Sequence, residues 1–163
     1  MQINGLIYSL PKEIKILIGV FIIVLSIGFF SGLLFVGETS SANTNGIEEQ
    51  YLGNEHDEDA EVMKFKKSEK EMLSLVHSHV LSMSIIFFIL ALIVSITNIK
   101  KQLKTFLMVE PLVSVILTFG GLYFLWTGLI WMKYIVMFSG TLMTLSFILS
   151  VVIILKQLFQ KKA

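Results

Sequence analysis

Hydrophobic positions in this chain gather into four unbroken runs separated by polar segments. The runs are Ile16 to Gly37, Met72 to Ile99, Pro111 to Met132 and Tyr134 to Leu155. None holds a lysine, aspartate or glutamate, and the second is uncharged when its two histidines are neutral. About 20 apolar residues at ~1.5 Å rise each cross the hydrocarbon core of a bilayer. Backbone in hydrocarbon must satisfy its own hydrogen bonds, which a helix does within itself. A transmembrane β-barrel is written in short alternating strands, a pattern unlike these continuous runs. The pattern predicts an all-α integral membrane four-helix bundle, up-down-up-down, in one domain over residues 1–163. A short acidic loop or cap, residues 38–70, separates helices 1 and 2.

Local signals divide the runs. Pro11 closes a short amphipathic lead-in and suits a helix start, where its missing N–H has no partner to lose. Ser68 and Glu71 fit a capping box at the start of the second helix. The connection around Ile99 to Thr105 is short enough for an antiparallel hairpin. Glu110 and Pro111 then read as the first turns of the third helix. In the cap, Ile47 to Leu52 predicts a short helix with Ile47, Tyr51 and Leu52 on its apolar side, ended by Gly53-Asn54. Val62, Met63 and Phe65 are candidate anchors of the cap to the rest of the protein. Gly28 and Gly32, beside Ser31, and Gly140 with Thr144 are small residues one turn apart, where another helix can approach closely. Gly120-Gly121 marks a kink or a close crossing in the third helix. No internal repeat is evident.

Composition agrees with the pattern. Of 163 residues, 55% are hydrophobic and 15% charged, against about 25% charged in soluble domains. The net charge of +1 hides a segregation that orients the spans. Lys12, Lys15, Lys100, Lys101, Lys104, Lys156, Lys161 and Lys162 flank the runs on one side. Residues 38–71 hold ten acidic residues against four lysines. The positive-inside rule then places the lysine-rich segments and both termini in the cytoplasm of a multi-pass cell-membrane (inner-membrane) protein, with the acidic cap outside. Lys133 is the exception on the outer side. The first run exceeds the usual 7–15 residue core of a signal peptide, so it is expected to stay as a helix. The absence of cysteine excludes disulfides, thiolate metal sites and thiol catalysis.

Candidate chemistry centres on Leu75-Val76-His77-Ser78-His79-Val80. Ionisable groups within spans default to a functional hypothesis. Counted from Glu71, His77 lies about 9 Å and His79 about 12 Å into the helix, between the outer interface and the upper hydrocarbon. Residues two apart point about 200° apart, so one helical face does not offer both to a single metal. His77 lies on a small polar face with Ser74, Ser78 and Ser84, which is expected to pack against protein. His79 lies one turn before Met83. An imidazole and a thioether together favour copper or haem iron over a hard cation. The candidate cofactor-binding residues are His77, His79, Met83, Trp126, Trp131 and Tyr134, and the candidate metal ligands His77, His79 and His56. The cofactor would be haem b or a copper or zinc ion, and the aromatic residues could wall a quinone head or porphyrin edge. Each feature also has a structural reading: hydrogen-bonded bundle histidines, and an interfacial aromatic belt. His56 with Asp57, Asp59 and Glu61 has oxygen and nitrogen donors suited to a divalent cation but lacks a calcium-loop motif. For Glu110, a neutralising contact with Lys104, Lys100 or Lys101 is expected rather than a transport role.

Phosphate-binding glycine loops, HExxH and GxSxG are absent, and the short tails cannot form a nucleic-acid-binding module. Three readings remain. The first is a small membrane redox or metal- or haem-binding component acting in electron transport. The second is a non-catalytic accessory subunit of a larger membrane complex. The third is an oligomeric channel or transporter. Expected partners are the lipid bilayer, a second copy or larger complex, and a quinone.

Overall fold

A computed structural model describes residues 3–41, 43–55 and 62–160. A short 3-10 turn at Leu6–Ser9 precedes α1 (Lys12–Ser40), α2 (Thr44–Leu52), α3 (Glu69–Ser95), α4 (Lys101–Val115), α5 (Gly121–Trp126) and α6 (Met132–Phe159). A π turn at Ile116–Gly120 joins α4 to α5, so Lys101–Trp126 is one helix. The protein is all-α. Four helices are long and apolar enough to cross a membrane, and the short α2 lies between the first two.

The capping box forms as its spacing predicts. The Ser68 backbone N–H donates to Glu71 Oε2 at 2.8 Å, and the Glu71 N–H donates to Ser68 Oγ at 3.4 Å. The third span departs from expectation. It starts at Lys101, so Glu110 and Pro111 lie well inside it rather than in its first turns. Proline removes one backbone hydrogen bond, here the one to the Leu107 carbonyl, but membrane helices tolerate that loss where neighbours pack closely. Pro111 is buried, and a connection running to Thr105 would begin the helix about five residues after its observed start at Lys101.

Close packing, more than the hydrophobic effect, holds helices together in lipid. The third span and α6 make the tightest seam. Thr118 and Ser139 hydroxyls hydrogen-bond at 2.7 Å. One turn toward the cap, a Cβ added to Gly121 would come within 2.9 Å of Val136 Cγ2. The glycine is required for that approach. By contrast, α1 lies at the periphery. In its most apolar stretch 17% of residues are buried, against 50% in the third span. It is held through Phe29, which stacks on Phe147 at 3.9 Å and meets Phe87 edge-on at 6.3 Å. Leu17, Leu34 and Phe35 are largely exposed, as suits a surface solvated by lipid chains. Gly28 and Gly32 meet nothing within 4 Å, so this small face finds no helix in the same chain.

Polar contacts close both ends of the bundle. At the lysine end, Ile7 is fully buried and its N–H donates to Ile96 O. Lys104 Nζ donates to Thr97 O at 2.6 Å, Ser95 O at 2.9 Å and Asn4 Oδ1 at 2.8 Å. It thereby satisfies carbonyls left free where α3 ends. Gln157 of α6 exchanges two hydrogen bonds with the Asn98 backbone. At the opposite end, α2 docks so closely on α1 that a Cβ on Gly46 would overlap the Ser40 carbonyl. Lys133 pairs with Glu48 at 2.6 Å, which accounts for its place on the acidic side. Asn54 brackets the strap after α2, bonding the backbone of Val62 and Lys64. Burial raises the Tyr51 phenol above its ordinary value, keeping it neutral under the cap. Ile47, Tyr51 and Leu52 supply the packing. The expected anchors Val62, Met63 and Phe65 are instead exposed at 66%, 59% and 68%, because α2 already fills the contact.

Candidate functional site

The two imidazoles sit in the cap-end half of α3, and both are exposed. Ser74, Ser78 and Ser82 are exposed with His77. Of the face expected to pack against protein, His77, Ser74 and Ser78, with Ser82 extending the serine row, are therefore uncovered within the described residues, while Ser84 is half-buried. The hydroxyls of Ser78 and Ser82 turn back to Leu75 O and Ser78 O, which lowers but does not remove the cost of a polar stripe in an apolar helix.

His79 is held in place. Its ring packs against Phe119 with centroids 4.8 Å apart. Nδ1 lies 2.9 Å from Leu75 O. A carbonyl can only accept, so Nδ1 carries a hydrogen, and in the neutral imidazole Nε2 then keeps its lone pair. His79 lines an open groove of about 460 Å³ with Lys67, Lys70, Glu71, Ser74 and Ser78. Met83 follows one turn later and is half-buried. The aromatic candidates do not line this groove. The Trp126 indole N–H donates to Lys67 O at 2.7 Å, and the Lys66 ammonium lies 5.2 Å from its ring centroid. Trp131 and Tyr134 are exposed, with Lys133 over the Tyr134 ring at 5.7 Å. Among the described residues no group of three histidine, aspartate or glutamate side chains converges for a metal. His56 and residues 57–59 and 61 lie outside the described residues.

Glu110 differs from expectation. It is 9% exposed, and the one ion pair among the described residues is Lys133–Glu48. No lysine among the described residues pairs with Glu110, and with the helix starting at Lys101 the Lys104 ammonium is engaged at the end of α3. Ser114 Oγ donates to Glu110 Oε1 at 2.5 Å, while Oε2 is buried without a partner. Among the described residues, the only other buried side-chain polar atoms without partners are the hydroxyls of Ser146 and Ser150. Both belong to α6. Sequence reasoning did not single out these two serines. The available signal was the spacing of Ser139, Ser146 and Ser150, small polar positions that with Met143 recur three or four apart on one helical face.

A family model for a transmembrane helical domain, Aq_1264_TM, matches residues 41–163. No curated protein and no solved structure matches the chain.

Proposed function

Because the chain belongs to the Aq_1264_TM family of transmembrane helical domains, we propose that it is a multi-pass membrane redox component contributing one imidazole to a shared metal or haem. His79 is that ligand. One observation carries the reading: the hydrogen bond to Leu75 O fixes the tautomer that leaves Nε2 free. Metal-binding histidines commonly donate their other ring N–H to a backbone carbonyl in this way. A further ligand comes from a second copy or a larger subunit, because His77 diverges from His79 on the same helix. The lysine end faces the cytoplasm, with spans alternating and both termini inside. The groove beside His79 then opens near the outer interface, at a depth suited to a porphyrin edge or a quinone head.

The test is purification in mild detergent from cells supplied with haem precursors and metals, followed by metal analysis and an absorption spectrum. A haem band or stoichiometric copper or zinc that persists in His77→Ala and disappears in His79→Ala is the expected result. Preparations free of metal and haem at every purification stage, with partner subunits retained, would overturn it.

A second reading, a non-catalytic accessory subunit, is favoured by the uncovered stripe of Ser74, His77, Ser78 and Ser82 on α3. Exposed polar groups in a span find a protein partner or remain costly. Stoichiometric co-purification of larger subunits, lost when bulky apolar residues replace Ser74 and Ser78, would support this reading over the first.

A further inference from the structure

In the lysine-end half of the bundle, three buried polar atoms without partners occur on two facing helices: Glu110 Oε2, Ser146 Oγ and Ser150 Oγ. Their levels follow from the seam between the third span and α6. Thr118 meets Ser139, and Gly121 approaches Val136, so residue numbers rise along one helix as they fall along the other. Eight residues from Thr118 toward the lysine end is Glu110. Eight residues from Ser139 in the same direction is Phe147, with Ser146 and Ser150 within one turn of it. Glu110, Ser114 and Thr118 are successive positions four apart, and Ser139, Ser146 and Ser150 are all buried on α6. The carboxyl and the two hydroxyls therefore lie at about one depth on two adjacent helices.

The two hydroxyls are unlike others on their own helix. Ser139, Thr141 and Thr144 each donate to a carbonyl one turn back, at 2.8, 2.8 and 2.9 Å. That is the default for hydroxyls in a membrane helix. Ser146 and Ser150 make no such bond, although they are 2% and 0% exposed. Leaving a carboxyl oxygen and two hydroxyls unsatisfied in hydrocarbon is costly. Groups retained at that cost have a ligand to meet.

We propose that Glu110, Ser114, Ser146 and Ser150 form an intramembrane carboxyl–hydroxyl site for a small monovalent cation, a proton or a sodium ion, entering from the lysine end. The charge sets the valence: one carboxyl balances one positive charge, and a divalent ion would need more. No other titratable side chain competes. The other spans hold none on α1 between Lys15 and Glu38, only Tyr134 at the cap end of α6 between Lys133 and Lys156, and none on α3 between His79 and its end. Along its own helix the nearest charges are Lys104, engaged at the α3 terminus, and Lys101. Within the proposal, the cation would enter along an open, mostly apolar groove of about 590 Å³ on the third span that runs from Lys101 past Thr105 and Phe106 to Glu110 and Val113; Ser146 and Ser150 do not line it. Two backbone irregularities flank the site, Pro111 beside it and the π turn at Ile116–Gly120 above it. Such π turns are frequent at functional positions.

The experiment uses the full chain in detergent, treated with dicyclohexylcarbodiimide, which reacts with protonated carboxyls in apolar surroundings. The adduct is mapped by mass spectrometry across a pH series, with and without sodium. The expected result is an adduct on Glu110 that fades as pH rises and is lost in Glu110→Gln. Joint Ser146→Ala and Ser150→Ala replacement should move the midpoint of that pH profile. Protection by sodium at fixed pH identifies sodium as the ligand. Labelling indifferent to sodium identifies the proton. Absence of an adduct on Glu110 at every pH would overturn the proposal without any variant having to fold. So would a pH profile unchanged when both hydroxyls are removed. Neither result depends on metal or haem at His79.

Discussion

His79 and Glu110 are nearly equivalent in depth and opposite in surroundings. His79 lies ten residues into α3 from the cap end, about 15 Å, and Glu110 nine residues into its helix from the lysine end, about 14 Å. The imidazole is exposed, while the carboxyl is enclosed between the most tightly packed helices. The difference follows from helix packing. α3 offers its cap-end half to the outside of the bundle, where Ser74, His77, Ser78 and Ser82 form an uncovered polar stripe. The third span is pressed against α6 by Gly121 and the Thr118–Ser139 bond, and Glu110 is among the buried residues of that span. An exposed polar group in a span calls for another molecule alongside. A buried unpaired one calls for a ligand within.

Four substitutions test this contrast, from the largest effect to the smallest. Lys104→Met removes the donor shared by Thr97 O, Ser95 O and Asn4 and should destabilise the lysine end by about 2 kcal/mol. Thermal unfolding in detergent would show it. Glu110→Leu should act in the opposite direction, raising stability by about 1 kcal/mol, because replacing an incompletely satisfied buried polar group by an apolar one removes a desolvation penalty. A loss of stability in this variant would mean that Oε2 has a partner after all. Glu48→Gln should loosen the cap without unfolding the bundle. Hydrogen exchange of α2 amides should quicken, and the difference should shrink as salt screens the original pair. His77→Ala should leave stability within about 0.5 kcal/mol. A larger loss in the isolated chain would show that the exposed stripe is packed.

Much of the architecture can be read in the sequence. Apolar runs mark four spans, Ser68 and Glu71 mark where α3 begins, and Gly53 marks where α2 ends. One error is local. Pro111 carries a start signal, and placing it with Glu110 in the first turns of the third helix put Glu110 near the interface and within reach of Lys104. The true start at Lys101 follows from the hairpin at Ile96–Lys100, whose polar groups are satisfied by residues distant in sequence, Asn4, Ile7 and Gln157. Local pattern does not reveal such partners. Burial was equally hard to read. In helices apolar on nearly every side, hydropathy does not distinguish the face toward lipid from the face toward protein. The exposure of His77 and the enclosure of Ser146 and Ser150 were therefore hidden.

Both proposals rest on one reading, that cap and lysine turn lie on opposite sides of a bilayer with Glu110 between them. The chain has no cysteine, so single replacements at Glu55, Gln102 and Leu145, an exposed residue halfway along α6, report position directly with a membrane-impermeant maleimide. In intact cells Glu55→Cys should react at once, Gln102→Cys only after the membrane is opened, and Leu145→Cys in neither condition. Reaction of positions 55 and 102 from the same side, or ready reaction at 145 in sealed membranes, would contradict the placement of both sites.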